Sequence, residues 1–334
     1  MAERRSITVV DCHAGGEVGN VVVAGVDPPP GATVFEQMQG LARDDSLRRF
    51  LLREPRGSVA THANLIVPST REDCAFGFII MEPTEYPAMS GSNTICVATV
   101  LLETGRVPIQ EPETTFRLEA PAGVVEIRAT CRDGRVESVE LTNVPAFAAH
   151  LGAPLEVDEL GAITVDVAYG GMWYAIADAA ELGFAIEPHE ARALCDVGER
   201  IRFAAKEQLD ERVSIVQIAE PWQGVDRVTK NAVVIAPGRL DRSATGTGLS
   251  ARMAVLHARG LMKVGDSMTH ASAIGSSFDG RIVAETTVDD YTAIVPAIRG
   301  SAFITGMTEL YVDPADPFPE GYLLSDTWPG DDVQ

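Results

Sequence analysis

Short runs rich in Val, Ile and Thr, bounded by Gly, Pro, Asp and Asn, recur along the whole chain. In the first half they are Ser6–Val10, Asn20–Val26, Asn64–Val67, Phe76–Met81, Val124–Thr130 and Arg135–Val144. The second half adds Ile163–Ala168, Trp173–Ala177, Val213–Ile218, Arg227–Ile235, Arg281–Thr287, Ala293–Ile298 and Ala302–Val312. β-Branched residues between turn formers read as strands. Helical periodicity is confined to Thr33–Arg53, Ser92–Glu103, His189–Leu209 (with an interruption expected) and Gly246–Arg259. Strands outnumber helices and do not alternate with them regularly. The pattern predicts an α+β protein with antiparallel or mixed sheets, rather than a doubly wound parallel one. No linker divides the chain; Gly105–Pro121, with turn residues and little periodicity, is the best boundary.

Two of the helical stretches repeat one design. Ser90-Gly91-Ser92-Asn93-Thr94 opens a run that closes at Gly105, and Thr245-Gly246-Thr247-Gly248-Leu249 opens one that closes at Gly260. Each goes hydroxyl, Gly, hydroxyl, small residue, apolar helix, closing Gly, and a strand-like run precedes each. Ser and Thr are common N-caps and Gly a common C-cap, so either piece alone reads as ordinary capping. The matched pair implies more. A Gly-rich helix start exposes backbone N–H groups at the positive end of the helix dipole. Two such ends suit an anion such as a carboxylate, and two half-chains with equivalent helices suggest a duplicated, pseudo-symmetric architecture.

Composition narrows the class. A chain of 334 residues, 46% hydrophobic and 22% charged, has room for two ordinary domains with substantial cores. A net charge of −21 disfavours nucleic acid and anionic membrane as partners. No apolar stretch of secretory or membrane-spanning length is evident. The five cysteines, Cys12, Cys74, Cys96, Cys131 and Cys195, are scattered and odd in number. That pattern fits reduced thiols in a cytoplasmic protein.

Other signals fall away. Gly246-Thr247-Gly248 lacks the third glycine of a dinucleotide fingerprint, and no phosphate-loop motif, HExxH or GxSxG is present. Cys12 and His13 are neighbours on a strand and point to opposite faces, so they make no catalytic couple. His62 and His257 read as packed or surface histidines.

The chain resembles the proline racemase superfamily over nearly its whole length. The matching stretches are His13-Ala14-Gly15-Gly16-Glu17, Glu54-Pro55-Arg56-Gly57, Met89-Ser90-Gly91-Ser92-Asn93-Thr94-Ile95 and Asp241-Arg242-Ser243-Ala244-Thr245-Gly246-Thr247-Gly248. Ser250-Ala251-Arg252-Met253, Ile274-Gly275-Ser276-Ser277-Phe278 and Asp316-Pro317-Phe318 complete the set. The resemblance implies an α+β, diaminopimelate epimerase-like fold. Two pseudo-symmetric domains would each curve a mixed sheet around a central helix, with the active site in the cleft between. Residues 1–120, with a C-terminal strand near 300–325 returning to them, would carry the Ser90 helix, and residues 121–299 the Thr245 helix. A homodimer without metal or organic cofactor is also implied.

Racemases of this family carry a cysteine at each helix tip. Here those positions are Ser90 and Thr245, and Ser92 stands where a histidine is common. An aliphatic hydroxyl is a much poorer base than a thiol of pKa about 8.5. Asp-Arg-Ser-x-Thr-Gly-Thr-Gly is similar to the trans-3-hydroxy-L-proline dehydratases of the superfamily, which have threonine at the second tip. The expected reaction is therefore dehydration of trans-3-hydroxy-L-proline to Δ1-pyrroline-2-carboxylate, with Ser90 as acid–base group and Thr245 lining the opposite face. Gly91, Ser92, Asn93, Gly246 and Thr247 would bind substrate, their amides holding its carboxylate, and Asp241 would pair with the ring ammonium. The alternatives are a hydroxyproline 2-epimerase and a non-catalytic protein that binds proline derivatives.

Overall fold

The computed structural model describes residues 6–313 and 315–329, and the chain divides into two compact units. The first comprises the described parts of Met1–Leu141 and Ser301–Gln334, the second Thr142–Gly300.

The first unit runs β1 (Ser6–Ala14), β2 (Glu17–Ala24), α1 (Val34–Arg43), α2 (Ser46–Leu52), β3 (Thr61–Val67) and β4 (Phe76–Met81). It continues with α3 (Gly91–Glu103), β5 (Glu113–Ala120), β6 (Gly123–Arg132) and β7 (Arg135–Thr142). β1 pairs antiparallel with β2, β2 parallel with β3, β3 antiparallel with β4, β4 parallel with β5, and β5 antiparallel with β6. The sheet is therefore mixed. The hairpin of β5 and β6 spans residue 120, so the chain leaves this unit after Leu141 and not near the boundary expected from sequence. Gly105–Pro121, read as a turn-rich boundary, contains the whole of β5.

The second unit contains β8 (Ala146–Val157), β9 (Gly161–Tyr169), β10 (Trp173–Asp178), α4 (Ala191–Gln208), β11 (Ile215–Ala219), β12 (Val228–Ile235) and β13 (Arg239–Leu240). After α5 (Gly246–Ala258) come β14 (Ser267–Ala271), β15 (Ser277–Val288) and β16 (Tyr291–Gly300). Its ladders run β8–β9–β10–β11–β12–β14–β15–β16 and return to β8 through the Ala293↔Phe147 pairing. The sheet closes on itself around α5, which touches β8, β9, β10, β15 and β16. β17 (Ala302–Tyr311) then returns to the first unit and pairs antiparallel with β1.

A helix enclosed by a sheet has no wet side, so its sequence must be apolar or small all round. Every residue of α3 from Gly91 to Leu102 is buried, and so is nearly all of α5. α3 contacts β1, β2, β3 and β17. The outer helices are amphipathic instead: α4 sets Leu194, Cys195, Ile201 and Ala205 against Val216, Ile218 and Val234. The interruption expected there is absent, because α4 is continuous through Gly198. A Cβ at Gly198 would lie 2.4 Å from Val234, so this glycine admits close packing and does not break the helix. The stretch Thr33–Arg53 does split, into α1 and α2, at Asp44 and Asp45. Paired acids are unfavourable at the negative end of a helix dipole.

Candidate active site

Thr33 shows what an ordinary cap looks like in this chain: its Oγ1 accepts from the Glu36 amide at 3.1 Å, and Glu36 Oε2 accepts from the Ala32 amide. Ser90 and Thr245 occupy the same position before α3 and α5, yet neither side chain caps its helix. The first-turn N–H groups of both helices lie outside the intrahelical ladder. Each tip thus presents uncapped amides beside a hydroxyl.

In the first unit, Ser90 has extended backbone (φ −152°, ψ 126°) and is half-buried. Its Oγ accepts from Asn93 Nδ2 at 2.9 Å and lies 3.4 Å from Ser92 Oγ. Asn93 is buried. Its Oδ1 accepts from Asn64 Nδ2 at 2.8 Å, and its Nδ2 also meets His62 Nδ1 at 3.1 Å. His62 Nε2 stands 3.3 Å from Glu17 Oε1, and Nδ1 stands 3.5 Å from Glu82 Oε1. His62 and Asn64 are two apart on β3 and so share a face, the one turned to α3. Asn93, expected to contact substrate, thus commits its side chain to Ser90, His62 and Asn64. His62 is packed, as expected, but packed directly behind the site. Glu17, Asn64 and Glu82 were missed; the alternation of His62 and Asn64 on one strand was the available signal.

In the second unit, Thr245 adopts φ 57°, ψ 105°. A β-branched residue at positive φ is strained by about 1–3 kcal/mol and must be held from outside. Its amide donates to Ser243 Oγ at 3.1 Å, its carbonyl accepts from the Leu249 amide at 2.9 Å, and its Oγ1 donates to Asp241 Oδ2 at 2.9 Å. Asp241 Oδ1 accepts from the Ser243 amide at 2.7 Å. Thr247 Oγ1 pairs with Tyr174 Oη at 2.6 Å.

The two hydroxyls therefore have opposite electrostatic settings. Ser90 Oγ accepts from an amide donor, which favours an oxyanion; Thr245 Oγ1 sits against a carboxylate, which disfavours one. Neither tip has a thiol, and all five cysteines are buried. Burial, with Cys12 and Glu17 close by, pushes the Cys96 thiol well above its usual range, and burial pushes Cys195 up to about 11. Other quoted motifs hold structure together. Arg56 donates to Asp316 Oδ2 at 3.1 Å and to the Phe318 carbonyl at 2.9 Å, so two of the matching stretches clamp the C-terminal segment. Ser276 Oγ donates to the Arg242 carbonyl at 3.4 Å, backing the segment before Thr245.

The family model described as Proline racemase matches residues 9–323. A hydroxyproline epimerase from Agrobacterium vitis, solved with bound trans-4-hydroxy-L-proline, is 39% identical with a TM-score of 0.92, covering 98% of each chain. A probable proline racemase from Agrobacterium radiobacter K84, solved with bound carbonate, is 40% identical with a TM-score of 0.91, covering 96% of this chain and 98% of that one. A methylitaconate-delta-isomerase is 13% identical with a TM-score of 0.57, covering 94% of this chain and 97% of its own, a likeness of fold alone. The arrangement is the diaminopimelate epimerase-like one expected from sequence, with curved sheets around central helices.

Proposed function

Because the chain belongs to the proline racemase family, we propose that it removes the α-proton of a hydroxyproline without a cofactor, and that the reaction is dehydration of trans-3-hydroxy-L-proline. The observation that carries this reading is the asymmetry of the two hydroxyls: Ser90 Oγ accepts from Asn93, while Thr245 Oγ1 donates to Asp241. Such a pair suits chemistry run from one side.

Stereochemistry makes one side sufficient. In trans-3-hydroxy-L-proline the 3-hydroxyl and the α-hydrogen both lie opposite the carboxylate, hence on the same face of the ring. Ser90 would take the proton and return it to the departing hydroxyl. The Gly91, Ser92, Gly246 and Thr247 amides are assigned to the carboxylate, where they would stabilise charge spreading onto it. Asp241 is assigned to the ring ammonium, which keeps the α-hydrogen acidic. The enamine product would tautomerise to Δ1-pyrroline-2-carboxylate.

The second reading is 2-epimerisation of a hydroxyproline, and the comparisons favour it: the 39%-identical relative from A. vitis is called a hydroxyproline epimerase. It requires a second proton-transfer group, a role for which Thr245, bonded to Asp241, is poorly suited.

Proton NMR in D2O over the 3- and 4-hydroxyproline stereoisomers separates the two. Dehydration consumes the ring carbinol signal of a 3-hydroxy isomer; deuterium at Cα with the carbinol intact would sink the dehydratase reading. Ser90→Ala should lower water loss by about 10²–10⁴-fold, the usual worth of an acid–base group. Binding of pyrrole-2-carboxylate, a planar mimic of the α-carbanion, should persist in that variant.

A further inference from the structure

We propose that Asn93 is a positioning residue that prepares Ser90 for proton transfer, and that the buried row Asn64, Asn93, His62 and Glu17 fixes it as a hydrogen-bond donor. The proposal rests on the reading of Ser90 as the proton-transfer group.

The orientation of the Asn93 amide is set at its oxygen. Oδ1 accepts from Asn64 Nδ2 at 2.8 Å, and that same Nδ2 donates to the Asn20 carbonyl at 3.3 Å. With its oxygen engaged, Asn93 turns Nδ2 toward Ser90 Oγ at 2.9 Å and His62 Nδ1 at 3.1 Å. The two hydrogens of Nδ2 meet two acceptors. With Nδ1 accepting from Asn93, the His62 ring proton lies on Nε2, 3.3 Å from Glu17 Oε1. Glu82 Oε1, at 3.5 Å from Nδ1, is the more distant neighbour of that nitrogen.

Asn64, Asn93, His62 and Glu17 are each at most 2% exposed, so the low local dielectric strengthens the row. Gly19 leaves it room: a Cβ there would lie 2.9 Å from Asn93 Oδ1. Ser90 Oγ thus receives a fixed N–H, which stabilises the oxygen as negative charge develops on it. The helix dipole is joined by a directed amide donor.

A double-mutant cycle with Ser90→Cys tests this, because a thiol of pKa about 8.5 carries negative charge without the amide's help. Asn93→Ala should lower kcat on the preferred isomer by about 100-fold or more with little change in KM, within the range of acid–base effects. In the Ser90→Cys background the same replacement should cost less than about 10-fold, since the thiolate needs less stabilisation. Asn93→Asp, isosteric but without N–H, should be at least as damaging as Asn93→Ala and guards against a folding artefact. His62→Gln, which keeps an acceptor toward Asn93, should retain most of the kcat that His62→Leu loses. Equal Asn93 penalties in both backgrounds would reduce the row to mere packing. Wild-type kcat in Asn93→Asp or His62→Leu would overturn the proposal outright. Failure of the underlying reading looks different: Ser90→Ala itself would then remain active.

Discussion

Ser90 and Thr245 hold the same place in two helix starts, but their surroundings have made them different groups. A hydroxyl that accepts from an amide is prepared for negative charge, whereas one that donates to a carboxylate is prepared to stay neutral. Thr245 also holds a backbone conformation that costs a β-branched residue about 1–3 kcal/mol, a kind of strain that clusters at functional sites. Both residues were legible in the sequence, through the repeated hydroxyl-glycine pattern. His62 and Glu17 were not, because what joins them to Ser90 is contact between β2, β3 and α3, which no local pattern encodes. Thr245→Cys is the informative replacement at this scale. It should introduce Cα inversion on a hydroxyproline, detected as new diastereomer and as Cα deuterium in D2O; an unchanged product spectrum would mean that a base at position 245 does not reach the α-carbon.

The elements most readily foreseen were α3 and α5, whose small and apolar residues on every side mark them as enclosed. Their enclosure needs thin neighbours. A Cβ at Gly170, just after β9, would fall 2.2 Å from the Thr247 carbonyl and 2.5 Å from the Ala251 amide. Backbone that close cannot yield as a side chain would. Gly170→Ala should therefore destabilise the protein by about 1–3 kcal/mol or more, the usual cost of overpacking, seen as a lower urea midpoint at unchanged slope. Four strands were missed from sequence, β5, β8, β13 and β14, and for two of them the cause is visible. β8 has register shifts between Ala148 and His150 and again between His150 and Ala153, which put two consecutive interruptions into its pattern. β14 is short and carries His270 on its buried side, so polarity hid it.

At the scale of the whole molecule, acid should be the weak point of the second unit. His270 is fully buried, and burial first, then Arg252, lowers its pKa from 6.5 to about 3. The folded state therefore holds a neutral imidazole that the unfolded chain would protonate. This stability is complete above pH of about 6.5 and is lost as pH falls toward about 3, at up to about 1.4 kcal/mol per pH unit. Urea midpoints measured from pH 7 to pH 4.5 should fall accordingly, and His270→Gln should flatten that slope; an unaltered slope would assign the acid sensitivity elsewhere. The clamp of Arg56 on Asp316 and Phe318 and the pairing of β17 with β1 show how the first unit recovers the end of the chain. The sequence by itself determined the α+β class, the two enclosed helices, the hydroxyls at their tips and the family, because each is written in local composition, spacing and motif. The tertiary structure decided that neither hydroxyl caps its helix, that Asn93 turns inward to Ser90, and that Thr245 is bound by Asp241. Those outcomes depend on which side chains other strands and loops bring within hydrogen-bond distance, a property of packing that one-dimensional spacing does not carry.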